Sequence, residues 1–130
     1  MHLLSEFAAV PAFIDEPKFR DSIRQHFGAG GSLLYLRFHG RNAGKWWSHE
    51  HRNERYDYLY SKEEIRPYAA RLKEVVNEKA IQKAYIFFNN HPNAKAVANA
   101  VMMRAELDIP VEAELPERLL ENFPELSSTE

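Results

Sequence analysis

The sequence predicts an α/β fold of parallel strands joined by crossover helices, and two patterns carry that expectation. Three short apolar runs each close in polar residues, and segments with a helical period of apolar positions lie between and after them. Antiparallel neighbours can be joined by tight turns, whereas parallel ones need long crossovers such as these.

The first run covers about residues 7–14, Phe-Ala-Ala-Val-Pro-Ala-Phe-Ile, and stops at Asp15. Its continuous apolar character suits a buried strand, although Pro11 can donate no ladder hydrogen bond. The second run, 33–38, follows the glycine-rich stretch 28–31 and is closed by His39 and Gly40. Period-two alternation puts Leu34, Leu36 and Phe38 toward helices and Tyr35, Arg37 and His39 on the opposite side. The third run, about 84–88, leads into Asn89, Asn90 and His91. The connection from Glu16 to Ser32 has poor helical periodicity, so an irregular crossover is expected there.

A helix is expected over about 62–78, opened by the capping box Ser61-Lys-Glu-Glu64 and by a hydrophobic staple between Tyr60 and Ile65. Its buried face is read as Ile65, Tyr68, Ala69, Leu72, Val75 and Val76, with Pro67 kinking the first turns. A second helix, about 93–107, carries the small-residue stripe Ala94, Val97, Ala98, Val101 and Ala105. A short third helix is expected after Pro116, in an acidic C-terminal tail. Residues 40–60 read as a long irregular loop, of a length that is commonly functional.

At 130 residues the chain has room for one domain, 1–130, with a core of its own. The composition is that of a globular protein, 45% hydrophobic and 28% charged, and a net charge of -2 supplies no global field for nucleic acid or an anionic membrane. There are no cysteines, which excludes disulfides, thiolate nucleophiles and thiolate metal sites. No apolar run approaches membrane-spanning length, and the first residues, with Glu6 and no Lys or Arg at the start, make a poor signal peptide. A cytoplasmic protein is the expectation.

Ligands of parallel α/β folds bind beyond the carboxyl ends of the strands, because loops and helix starts converge there. Candidate residues are therefore Asp15, Arg37, His39, Arg41, Asn42, Asn89, Asn90 and His91. His39 and Asp15 are the catalytic candidates, as acid or base, while the arginine and amides would orient an anionic or polyhydroxylated ligand. Arg37 needs a partner at the strand end, and Asp15 is the expected one; such a pair could equally serve only to organise the fold. His49 and His51 form a His-x-His pair within the loop, which reads as a solvated segment, and neither a metal nor a cofactor is assigned.

The loop interleaves Trp46, Trp47, Tyr56, Tyr58 and Tyr60 with Arg41, Lys45, Arg52 and Arg55. Tyr56 and Trp47 join the ligand-binding candidates. Such a mixture can stack bases or sugars and pair phosphates, yet Glu50, Glu54 and Asp57 nearly cancel its charge. A folded lid is the alternative, and two freely exposed indoles on one loop are not expected. Nucleophile-elbow, phosphate-loop, dinucleotide and zinc-protease motifs are absent.

Three ordered segments, Tyr35-Leu-Arg-Phe-His-Gly-Arg-Asn42, Arg55-Tyr-Asp-Tyr-Leu-Tyr-Ser61 and Phe87-Phe-Asn-Asn-His91 with Ala96-Val-Ala-Asn-Ala100, resemble the C-terminal half of the YecE-like family, domain of unknown function 72. Ile14-Asp-Glu-Pro17 is similar to the family's preceding strand end. The resemblance implies a TIM-type (β/α) barrel, incomplete in this chain, with a pocket at the strand C-termini built from Asp15, Arg37, His39, Asn89 and Asn90. It implies no particular reaction. A full barrel takes ~250 residues, so a truncated or split protein is expected, with self-association or a complementary barrel fragment covering the open sheet. Three functions stay open: an enzyme acting on a sugar or phosphate ester, a nucleic-acid binder using loop 40–60, or an inactive barrel fragment.

Overall fold

The computed structural model describes residues 10, 12–16, 33–47, 50–78 and 81–129. Three parallel strands, β1 (Ala12–Asp15), β2 (Leu33–Phe38) and β3 (Lys83–Phe88), form a sheet in that order. The helices are α1 (Ala43–Trp46), α2 (Lys62–Glu78), α3 (Lys95–Glu106) and α4 (Glu117–Asn122). Single 3-10 turns at Arg52–Tyr56, Pro92–Ala94 and Pro124–Thr129 complete the order. This is an α/β fold, as the strand and helix patterns predict. The crossover expected at 16–32 and most of the first apolar run lie outside the described residues.

Alternation along β2 does what its sequence requires. Leu34, Leu36 and Phe38 are fully buried under the helices, while Leu33, Tyr35 and Arg37 are only half-buried on the opposite side. Against the buried face pack Ile65, Ala69 and Leu72 of α2, Ala98, Val101 and Met102 of α3, and Leu119, Phe123 and Leu126 from the C-terminal segment. The capping box at Ser61 is closed in both directions. Ser61 Oγ accepts the Glu64 N–H at 3.2 Å, and Glu64 Oε1 accepts the Ser61 N–H at 3.1 Å.

Helix α2 continues as one element through Pro67, although that residue donates no hydrogen bond. Three expectations are corrected. Val76 is exposed, because it lines an open apolar cavity beside β3 instead of packing into the core. In α3 the buried stripe is Ala98, Asn99, Val101, Met102 and Met103, whereas Ala94 and Val97 are exposed. The reason lies upstream: Asn93 and Ala94 both have left-handed backbone, φ 56° and 61°, so the regular helix begins at Lys95 with its faces turned. Finally, residues 40–60 contain α1 and a 3-10 turn instead of irregular chain throughout.

Candidate functional site

The main-chain ladder runs past the ends of the strands. His39 N–H donates to Asp15 O and Asn89 N–H to Phe38 O, both at 2.8 Å, so the polar residues predicted at the strand ends stand side by side.

Asp15 is almost fully buried, and its register partner is Phe38, which puts its carboxylate on the helix-covered side. Arg41 Nε donates to Oδ2 and Nη2 to Oδ1, each at 2.9 Å. The hydroxyls of Tyr60 and Tyr68 donate at 2.7 Å and 2.5 Å. A carboxylate offers about four acceptor sites, and all are taken. The expected pairing of Asp15 with Arg37 is therefore corrected. Arg37 is in register with Ile14 and Phe87 and projects from the other face, so Arg41, in the turn beyond β2, reaches the carboxylate instead.

Burial by itself would raise the Asp15 carboxyl, but hydrogen bonds from Arg41, Tyr68 and Tyr60 outweigh it and hold it below its ordinary value. The hydrogen bond to Asp15 likewise raises Arg41 and secures its charge. Burial and the Asp15 charge push both tyrosines up, Tyr68 to about 12. Arg41 also donates from Nη1 to Glu64 Oε2 at 3.0 Å, and the Tyr58 hydroxyl donates to the same oxygen at 2.7 Å. The capping carboxylate of α2 is thus shared with the strand-end network.

A second network holds the loop. Asn42 Nδ2 donates to the carbonyls of Asp57 at 3.0 Å and Glu54 at 3.3 Å, closing residues 42–57 into a ring. Inside it Trp46 is buried beneath the Arg55 guanidinium, 4.6 Å from the ring centre, while Trp47 is 76% exposed. The two indoles are not both open to solvent, as the loop composition predicts. Tyr56 stands among His39, Trp46 and His91, with ring centres 5.9, 5.9 and 6.2 Å away.

Asn90 is fully buried, and its Nδ2 donates to Tyr58 O at 2.7 Å and to Asn99 Oδ1 at 2.8 Å. Asn99 in turn accepts the Tyr60 N–H at 2.9 Å and donates to Tyr60 O at 2.8 Å. Both partners of Asn90 Nδ2 are acceptors, which fixes the amide and leaves Oδ1 with no donor among the described residues. Gly40 lies beside it with φ 94°, and a Cβ there would stand 3.0 Å from Tyr58 Cβ.

His39 projects from the face of Arg37. Its Nδ1 is 3.9 Å from the Glu16 carboxylate, and its buried Nε2 has no partner among the described residues. Burial, then the Arg37 charge, hold the imidazole below its ordinary value, so it rests neutral at neutral pH. Asn89 is half-buried and its carbonyl faces His91 Nδ1 at 3.0 Å, with His91 exposed. An imidazole beside a carboxylate can take up or release a proton. Among the described residues no three His, Asp or Glu side chains are grouped so that they could hold a metal ion, and His49 lies outside them. An apolar cavity of about 310 Å³ opens at the other end of β3, away from these groups.

Of the predicted candidates, the charged groups of Asp15 and Arg41 are engaged within the protein, as are the Nδ2 groups of Asn42 and Asn90. Arg37, His39, Asn89, His91 and Trp47 remain at the face or rim. Tyr60, Tyr68, Glu64 and Asn99 were missed as site residues. The sequence marks Tyr60 only as staple and loop aromatic, Tyr68 as core and Glu64 as cap, and Asn99 only as part of the segment Ala96-Val-Ala-Asn-Ala100.

No helix among the described residues is long and apolar enough to cross a membrane. Comparison with curated proteins yields no match. The chain is similar to a solved DUF72 family protein from Thermotoga maritima, at 32% identity and a TM-score of 0.73 over 82% of this chain and 40% of that one. A DUF72 family protein from Enterococcus faecalis has the same fold at 24% identity, with a TM-score of 0.72 over 88% of this chain and 42% of that one. The chain therefore spans about two fifths of the length of these solved relatives. Residues 1–122 match the protein family of unknown function DUF72, the family that the sequence motifs resemble, and the chain belongs to it.

Proposed function

We propose that the strand ends form a pocket for a small polyhydroxylated or anionic ligand, a sugar or phosphate ester, in which His39 is the acid–base group. The observation that carries this is the His39 imidazole at the end of the central parallel strand, its Nε2 buried without a partner among the described residues and its Nδ1 facing Glu16. A buried polar atom left unpaired costs about 1–3 kcal/mol and is kept for a reason, here read as a catalytic role. Strained backbone at Asn93 and Ala94, two and three residues after His91, supports the same location. Arg37 and Asn89 orient the ligand, while Asp15, Arg41, Asn42 and Asn90 position the turns that carry the pocket. The three strands are read as part of a TIM-type barrel, by fold analogy, and the open sheet face is covered by a second polypeptide, another copy or a complementary barrel part.

Nucleic-acid binding has less support, because Arg41, Arg55 and Trp46 are occupied inside the loop. Ligand-observed NMR with neutral monosaccharides, sugar phosphates and a short oligonucleotide tests the reading. Saturation transfer to a sugar or sugar phosphate that is lost in His39→Ala and kept in Trp47→Ala is the expected result. Binding of the oligonucleotide alone, or of neither sugar class, would overturn it.

A further inference from the structure

Strand β3 is open to a degree unusual in a parallel sheet, where strands are normally covered on both faces. Tyr85 and Phe87 are 44% and 45% exposed on one side. On the other, Ala84 and Ile86 floor the apolar cavity of about 310 Å³, walled by Leu72, Val76, Leu107 and Ile109. Among the described residues β3 pairs only with β2, so its outer edge presents free N–H and C=O groups. The segment Lys83-Ala-Tyr-Ile-Phe-Phe88 has one charge and neither Pro nor Gly. An exposed hydrophobic edge of this composition is a template for another strand.

We infer that this edge binds a second copy of the chain, with β3 of each copy pairing antiparallel about a two-fold axis at Ile86. The inference rests on the proposal that a second polypeptide covers the sheet, and it fixes which strand is used and in which register. A second copy offers the same edge, and closed two-fold pairing uses one patch on both subunits. Parallel stacking would set the two Lys83 ammonium groups side by side, whereas antiparallel pairing moves them to opposite ends. Face alternation restricts the axis to a residue position, because a slip of one residue sets exposed rings against the cavity side. An axis at Tyr85 would oppose Phe87 to a lysine. At Ile86, Tyr85 faces the partner's Phe87, extending the existing ring contacts of Phe87 with Tyr35 at 5.3 Å and with Tyr85 at 6.4 Å.

The same axis brings the two apolar cavities together on the helix side. A buried aromatic contributes ~150–250 Å², so the exposed parts of Tyr85 and Phe87 supply roughly 90 Å² each. The four rings of the two copies give roughly 360 Å². With Val76, Ile109 and the main-chain edge the interface stays below the ~1,200 Å² of standard specific ones, so a dissociation constant in the micromolar range or weaker is expected.

Light scattering and native mass spectrometry from the micromolar into the millimolar range test this, with circular dichroism to confirm folding of each variant. The wild type should pass from monomer to dimer. Tyr85→Lys and Phe87→Glu, both on the exposed face, should each weaken the dimer about tenfold or more. The double variant should recover much of the loss, because each lysine then faces the partner's glutamate. A monomer at every concentration would overturn the covering polypeptide as another copy and the edge pairing together. A dimer indifferent to both single variants, a double variant with no recovery, or open-ended oligomers would overturn the edge pairing alone.

Discussion

Replacing Asp15 by Asn preserves shape and removes a charge that four hydrogen bonds converge on. The amide can accept at one position only, so its Nδ2 meets donors that previously faced an oxygen. Removing one member of a buried ion pair costs ~3–5 kcal/mol. Arg41 is 34% exposed in its side chain and keeps Glu64 at 3.0 Å, and the two tyrosine hydroxyls can rotate, so the lower end applies, about 3 kcal/mol. For a chain of 130 residues one kcal/mol moves the melting temperature by ~4 °C, which gives a fall of about 12 °C. Urea unfolding should show a lower midpoint at unchanged slope. The pH dependence supplies a second arm. Because the fold holds the Asp15 carboxyl below its ordinary value, its contribution is complete above about pH 4 and is lost as pH falls through the folded-state value. Asp15→Asn lacks that component, so wild type and variant should converge in acid. Arg37→Ala, on the opposite face, should stay within about 0.5 kcal/mol. A loss below about 1 kcal/mol for Asp15→Asn at neutral pH, or a gap that persists in acid, would refute the network as an anchor.

Two further substitutions probe the supports of the site. Gly40→Ala forces a Cβ to within 3.0 Å of Tyr58 Cβ at φ 94°, and chemical denaturation should show a loss of about 2 kcal/mol. Asn99→Ala strands the Tyr60 N–H and C=O and one Asn90 donor, for a loss of about 3 kcal/mol, accompanied by faster amide exchange at Tyr60.

Much of the fold was legible in the sequence. The second strand, the capping box and the buried side of β2 rest on local alternation and local hydrogen bonding, which sequence records directly. What escaped depends on distance in the chain. Asp15 takes Arg41 instead of Arg37 because strand register, not proximity to a strand end, decides which face each residue occupies. The face of α3 was misjudged because left-handed residues at Asn93 and Ala94 displace its start, and Ala94 gives no sign of that conformation. Asn99 was unreadable because its role is to satisfy a backbone 39 residues earlier. In the loop, composition indicated packed aromatics, but not which tryptophan would be buried.

Phe38 gives the polar network a wider meaning. Its ring lies 5.4 Å from Tyr60, 5.0 Å from Tyr68 and 4.8 Å from Phe88, and the first two of those rings carry the hydroxyls that hold Asp15. The proton affinity of the carboxylate is therefore inherited from the shape of an aromatic cluster that has no polar atom at its centre. Drift in core volume, ordinarily tolerated when compensated elsewhere, would here retune the electrostatics of the rim. A change at Phe38, which makes no hydrogen bond to Asp15, would thus reach its carboxylate through the two tyrosine rings.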